Sequence, residues 1–142
     1  MWPTEELSDF HCVFIRVHKT KLEDNLPSKS AFSNTPKHLG NLSSDWCAYA
    51  SAQTSRELIG RQKNNSGVFK NPLDFFIWRF KVHALRQLPD IPQAVTHEPW
   101  YNEPETDGEP NNRAHSIIVG DKPNTAEFKI KMRRAGEWAI SP

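Results

Sequence analysis

Phe75-Phe76-Ile77-Trp78-Arg79-Phe80-Lys81-Val82 carries the strand signal on which the fold turns. From Ile77 onward it alternates, with Trp78, Phe80 and Val82 on one face and Arg79 and Lys81 on the other. Pro72 and Asp74 bound it upstream. An aromatic-rich run of this kind needs partners that cover its apolar face.

Two other stretches offer them. His11-Cys12-Val13-Phe14-Ile15-Arg16-Val17-His18 reads as a strand with Arg16 and His18 on one side and Ile15 and Val17 on the other. Asn111-Asn112-Arg113-Ala114-His115-Ser116-Ile117-Ile118-Val119-Gly120 begins with hydrogen-bonding residues, runs into β-branched ones and stops at glycine. Phe14, Ile15, Ile77, Trp78, Phe80, Ile117 and Val119 are expected in or beside one core.

Shorter elements fill the rest. Gln93–His97 and Glu137–Ile140 read as strands, and Ala31-Phe32-Ser33 as a short one. Thr54–Lys63 reads as a helix opened by a Thr54/Glu57 capping box, and His83–Leu88 as a helical turn stopped by Pro89. Ser43-Ser44-Asp45-Trp46 can open a helical turn through its N-capping side chains. Ala126–Arg133 alternates, which argues for a strand, although Asn124 with Glu127 would also cap a helix. The expectation is a single α+β domain over 1–142: a mixed, mostly antiparallel sheet with one or two short helices and long ordered loops.

The totals agree. The chain has 142 residues, which suits one domain that buries roughly 70% of its unfolded surface. Lys+Arg number 18 against Asp+Glu 17, so a surface built wholly for nucleic acid is not favoured. Eleven prolines and a mean hydropathy of -0.70 suit loops and short elements. No run approaches the ~20 apolar residues of a membrane span, and the acidic start Met1–Glu6 lacks an apolar signal, so a cytoplasmic location is expected. Cys12 and Cys47 read as buried free thiols, with one disulfide as the alternative. His38, His83 and His97 are isolated and no histidine pair has ligand spacing, so no metal is assigned.

Four groups carry chemistry. Arg16 and His18 with Asn112, Arg113, His115 and Ser116 supply anion-binding forks and proton carriers, as a nucleotide or phosphoester site requires; the same residues would equally cap strand ends. Ser30–Ser33 and Leu42–Trp46 set hydroxyls beside aromatics, which suits a ribose or base, or simply a closed loop. The acidic run from Glu98 to Glu109 has no EF-hand spacing and is broken by Pro99, Pro104 and Pro110. It reads as a solvated loop more mobile than its neighbours, with a lid carrying Trp100-Tyr101 as its functional form. Lys129, Lys131 and Arg133 form a nucleic-acid track or, more simply, the charged face of an exposed strand. The candidate residues are therefore His18 and His115 for proton transfer, with Arg16, Ser33, Ser43, Asp45, Asn112, Arg113 and Ser116 for a ligand.

These motifs give the chain a resemblance to a group of short bacterial proteins of unassigned activity. They share a His-bearing strand, an SxAF-like segment, an LSxD segment and a closing NxAHxxxxG. Here the corresponding residues are Arg16-Val17-His18, Ser30-Ala31-Phe32, Leu42-Ser43-Ser44-Asp45, and Asn112-Arg113-Ala114-His115 through Gly120. More remotely, a first-strand Arg or His and a Ser-bearing second element resemble ADP-ribosyltransferase-like folds, including small toxins that attack NAD. An effector or accessory component of a defence or toxin system would fit an enzyme and an interaction module alike, and the likeness implies NAD or another nucleotide as ligand. It lacks a late-strand catalytic glutamate, for which only Glu98 and Glu127 stand nearby. The competing expectation is a non-enzymatic module that binds a protein partner through its loops and exposed aromatics.

Overall fold

The computed structural model describes residues 1–35 and 40–142. The reading of His38 as an isolated histidine lies outside the described residues. Six strands form one sheet in the spatial order β6-β7-β4-β1-β5-β8: β1 Cys12–His18, β4 Leu42–Trp46, β5 Phe75–Lys81, β6 Ala94–His97, β7 His115–Val119 and β8 Gly136–Ile140. A small hairpin, β2 Leu22–Glu23 with β3 Leu26–Pro27, stands apart. Each pairing between described strands is antiparallel. The helices are α1 Ala52–Leu58, α2 Val82–Arg86 and α3 Ala126–Arg134. The fold is α+β.

Strand β1 is central because both its edges are used. It pairs with β5 along its whole length, from Cys12↔Lys81 to His18↔Phe75, and with β4 through Val13↔Trp46 and Phe14↔Asp45. The period-two pattern sends Val13, Ile15 and Val17 to one face, where Trp46, Trp78, Phe80, Val95 and Ile118 join them. Helices α2 and α3 close this face with Val82, Leu85, Phe128 and Met132. Each large side chain buried there is worth about 1.5–3 kcal/mol relative to exposure.

The expected single core divides between the two faces. Ile15, Trp78 and Phe80 belong to the main cluster, whereas Phe14, Ile77 and Ile117, though buried, project from the other face. Val119 is only half-buried. Helix α1 covers that second face: Ser55, from α1, binds side chains that β1 and β4 present there.

Several local expectations are corrected by packing. Ala126–Arg134 is a helix, capped by Thr125, whose hydroxyl accepts from Phe128 N at 3.1 Å. Phe128 and Met132, four apart, are buried, while Ile130 is exposed, so the helical period prevails over the alternation. Lys29–Phe32 is a turn of 3-10 helix, where a short strand at Ala31–Ser33 was expected. Helix α1 starts earlier than expected, since its reciprocal cap is Ser51 with Thr54. Leu42–Trp46 is a strand in mid-sheet, not a helical turn. Lying between β1 and β7, its backbone is satisfied on both sides, and Leu42, Ser44 and Trp46 alternate into the core. Cys12 and Cys47 are free and half-buried, with Cys12 N donating to Cys47 Sγ at 3.0 Å.

Candidate functional site

Because Leu42–Trp46 is a strand, Ser43 and Asp45 share the α1 side of the sheet, where they meet two neighbours. His115 stands opposite Asp45 in β7, and Ile117 opposite Ser43. Arg16, two residues along β1 from Phe14, the partner of Asp45, is on the same face.

Asp45 is 2% exposed, so its charge requires partners. Oδ2 accepts from Arg16 Nη2 at 2.8 Å and from the Ser55 hydroxyl of α1. Oδ1 accepts from Asn112 Nδ2 at 2.7 Å. Arg16 Nε in turn donates to Ser55 O at 3.0 Å, so strand, helix and the entry to β7 are tied at one carboxylate.

Asn112 carries the order outward. Its Oδ1 accepts from Ala114 N at 3.1 Å, and its backbone exchanges hydrogen bonds with Trp100 in both directions at 2.9 Å. Trp100 is thereby held over His115, rings stacked with centroids 4.1 Å apart and 26° between planes. His115 is fully packed; its Nδ1 lies 2.8 Å from Glu98 O and its Nε2 3.1 Å from Ser43 Oγ. A carbonyl only accepts, so Nδ1 carries the proton, and in the neutral ring Nε2 accepts from the serine hydroxyl.

These groups line a cavity of 280 Å³. Arg16, Asp45 and Phe14 lie along the sheet, with His115, Trp100 and Asn112 beside them. Ser30, Ser33 and Thr35 arrive from the segment around the 3-10 helix, while Ile59, Gln62 and Lys70 follow α1. Lys21 and Lys70 add positive charge, and among the described lining residues Asp45 is the one acid.

Comparison with protein-family models, curated proteins and solved structures finds no match to this chain.

Of the candidates read from sequence, Arg16, Ser33, Ser43, Asp45, Asn112 and His115 come together around this cavity. His18, Arg113 and Ser116 stand elsewhere. His18 Nδ1 accepts from Thr20 N at 3.2 Å, capping the turn after β1, and its ring meets Phe75 edge-on at 4.9 Å. Arg113 precedes β7 and so does not follow its alternation; it lies over the Tyr49 ring at 4.0 Å, near Glu5. Ser116 faces away from the cavity, and its hydroxyl donates to Ala114 O at 2.9 Å.

Lys21, Gln62, Lys70 and Ser55 had no signal in the sequence, because each reaches the site through a loop or a helix whose docking depends on the rest of the fold. Trp100 was legible only as part of the acidic loop. That loop is tied by ion pairs from Arg61 to Glu105 and from Lys63 to Asp107. Among the described residues no cluster of three or more His, Cys, Asp or Glu could hold a metal, and no helix is long and apolar enough to cross a membrane.

Proposed function

We infer that the protein binds a small anionic ligand of nucleotide size in the cavity between β1, β4 and β7. The carrying observation is its charge: Arg16 and Lys21 line it and, among the described residues, Asp45 is the one carboxylate in the lining, already paired with Arg16. A phosphate or carboxylate meets a surplus of donors there, the serine and threonine hydroxyls suit a sugar, and Trp100 offers an aromatic edge for a base. Pockets of about 300 Å³ and above accommodate small ligands, so a mononucleotide, or one half of an NAD-like dinucleotide, is matched in scale.

Titration calorimetry and thermal melting with AMP, ADP and NAD test the reading. A ligand at a hundred times its Kd stabilises the native state by about 2.7 kcal/mol. Lys21→Gln should weaken binding while leaving the unliganded melting midpoint in place. No heat and no shift with any anionic nucleotide would refute it.

A second reading, docking of a protein partner, rests on Val68, Phe69 and Leu73, which are 60%, 50% and 72% exposed within one short stretch. Among the described residues none of the tryptophans is an exposed anchor of that kind.

A further inference from the structure

We propose that Ser43 is a nucleophile activated by His115, and that the protein hydrolyses a carboxylic ester bearing an anionic group. The proposal rests on the anion-binding cavity of the preceding reading and takes from it the charge of the ligand, here an anionic group carried by a carboxylic ester.

The geometry has the parts such a reaction needs. A serine attacks only when a base takes its proton, and the base works only when a third group fixes its tautomer. Here Glu98 O holds the proton on His115 Nδ1 at 2.8 Å, leaving Nε2 with its lone pair 3.1 Å from Ser43 Oγ. The Glu98 carboxylate, 4.0 Å from Nδ1, favours the imidazolium that forms when the proton arrives. Trp100, stacked on the ring, prevents it from turning. Ser43 and His115 are diagonal neighbours on adjacent strands, so the sheet itself sets their separation.

Negative charge developing on the substrate has a receiver. Arg16 lines the cavity, and among the described residues two of its five N–H groups are committed, one to Ser55 O and one to Asp45. The others can stabilise an oxyanion that forms in the cavity. Lys21, which lines the same cavity, holds the substrate's own anionic group.

The steps balance. Ser43 Oγ bonds to the ester carbonyl carbon while its proton passes to His115 Nε2, and the carbonyl π electrons move to oxygen. Collapse of that oxyanion breaks the carbon–alkoxy bond, and the departing alcohol takes the proton from Nε2. Water then attacks the acyl-serine, giving its proton to Nε2. Release of the carboxylic acid returns Ser43 Oγ, which regains that proton. No oxidant, metal or cofactor enters.

The alternative is a purely structural Ser–His bond inside a packed sheet. A fluorophosphonate probe separates the two, because it phosphonylates activated serines. Peptide mapping of the folded protein should find the adduct on Ser43, absent in Ser43→Ala. His115→Gln should slow labelling by about 10²–10⁴-fold, the usual worth of a positioned base. Equal labelling of wild type and a folded His115→Gln variant, or no adduct on Ser43, overturns the proposal.

Should His115→Gln not fold, the pH dependence of wild-type labelling decides. A rate that levels off after one ionisation supports a histidine base, whereas a tenfold rise per pH unit without plateau means hydroxide alone and overturns it. Among the described residues, the charged groups to be counted in that titration are the Glu98 carboxylate beside His115 and, lining the same cavity, the Arg16–Asp45 pair, Lys21 and Lys70.

With p-nitrophenyl esters, hydrolysis of the hemisuccinate in preference to the butyrate, reduced in Lys21→Gln, supports the anionic specificity. Ser43 labelling with no such preference overturns the charge reading while the nucleophile stands. Nucleotide binding without labelling overturns the nucleophile while the binding site stands.

Discussion

Arg16 Nη2 meets Asp45 Oδ2 at 2.8 Å across the neighbouring strands β1 and β4, joining residues 29 apart in sequence. The carboxylate is almost wholly withdrawn from water, with 4% of its side chain exposed, and the guanidinium retains 17%. Breaking a buried pair from one side leaves an uncompensated charge and costs about 3–5 kcal/mol. Urea denaturation of Arg16→Met should show a loss of that size. Asp45→Asn should lose less, because Arg16 is nearer to solvent and an amide oxygen can still accept from Ser55. Equal and negligible losses would mean that the pair is not formed.

Phe80 is fully buried and touches Phe32 and Trp78, with ring centroids 5.9 and 6.5 Å away. Phe80→Ala leaves a cavity that the rigid sheet cannot close, and the expected cost is about 3–5 kcal/mol. An unmoved melting midpoint would contradict the placement of β5 in the core.

Gly136 opens β8 against β5, and a methyl group there would meet the indole nitrogen of Trp78 and, at 2.5 Å, the carbonyl oxygen of Arg79. The strand must move away to admit it. Gly136→Ala should therefore destabilise by about 1–3 kcal/mol, as overpacking does, although alanine is ordinarily harmless in a strand. Denaturant midpoints of the purified variant check this.

Asp9 receives Arg86 Nη1 at 2.7 Å, with His83 on its other oxygen at 3.4 Å. These partners, Arg86 first, hold its carboxyl below the ordinary value of 3.8. A folded-state value below the unfolded one means stability that is present above pH 3.8 and lost as pH falls through the folded value. Thermal melts of Asp9→Asn should lie below wild type near pH 6, and the gap should close as the pH falls below 3.8 and through the folded value. A gap independent of pH would show that charge is not the cause.

The Cys12 thiol is pushed up to about 12, first by burial and then by its contact with Cys47. The thiolate is the reactive form, so Cys12 should resist iodoacetamide at neutral pH in the folded protein and react readily in urea. Mass mapping of alkylated peptides measures both rates, and fast modification of Cys12 in the native state would overturn the assignment.

The strands at β1, β5 and β7 were legible because hydrophobic alternation is a property of the chain itself, set by the two-residue repeat of extended backbone. The same alternation put Arg16 on the opposite side from Ile15 and Val17 before any neighbour was known. It could not say which strands adjoin. Ser43 and His115 lie 72 residues apart, and Asn112 and Asp45 67, so their meeting depends on a register set by packing.

Leu42–Trp46 shows the division most sharply. Its serines and aspartate argue locally for a cap, and a buried aspartate within a strand would be costly alone. The strand exists because Arg16, Ser55 and Asn112, from three other parts of the chain, satisfy that carboxylate. Likewise Ala126–Arg134 carries both a two-residue and a helical repeat. Burial of Phe128 and Met132 against the sheet selects the helix. Sequence by itself determined which residues alternate; tertiary structure decided which of them meet, because only a folded chain supplies the partners that make burial of a charge affordable.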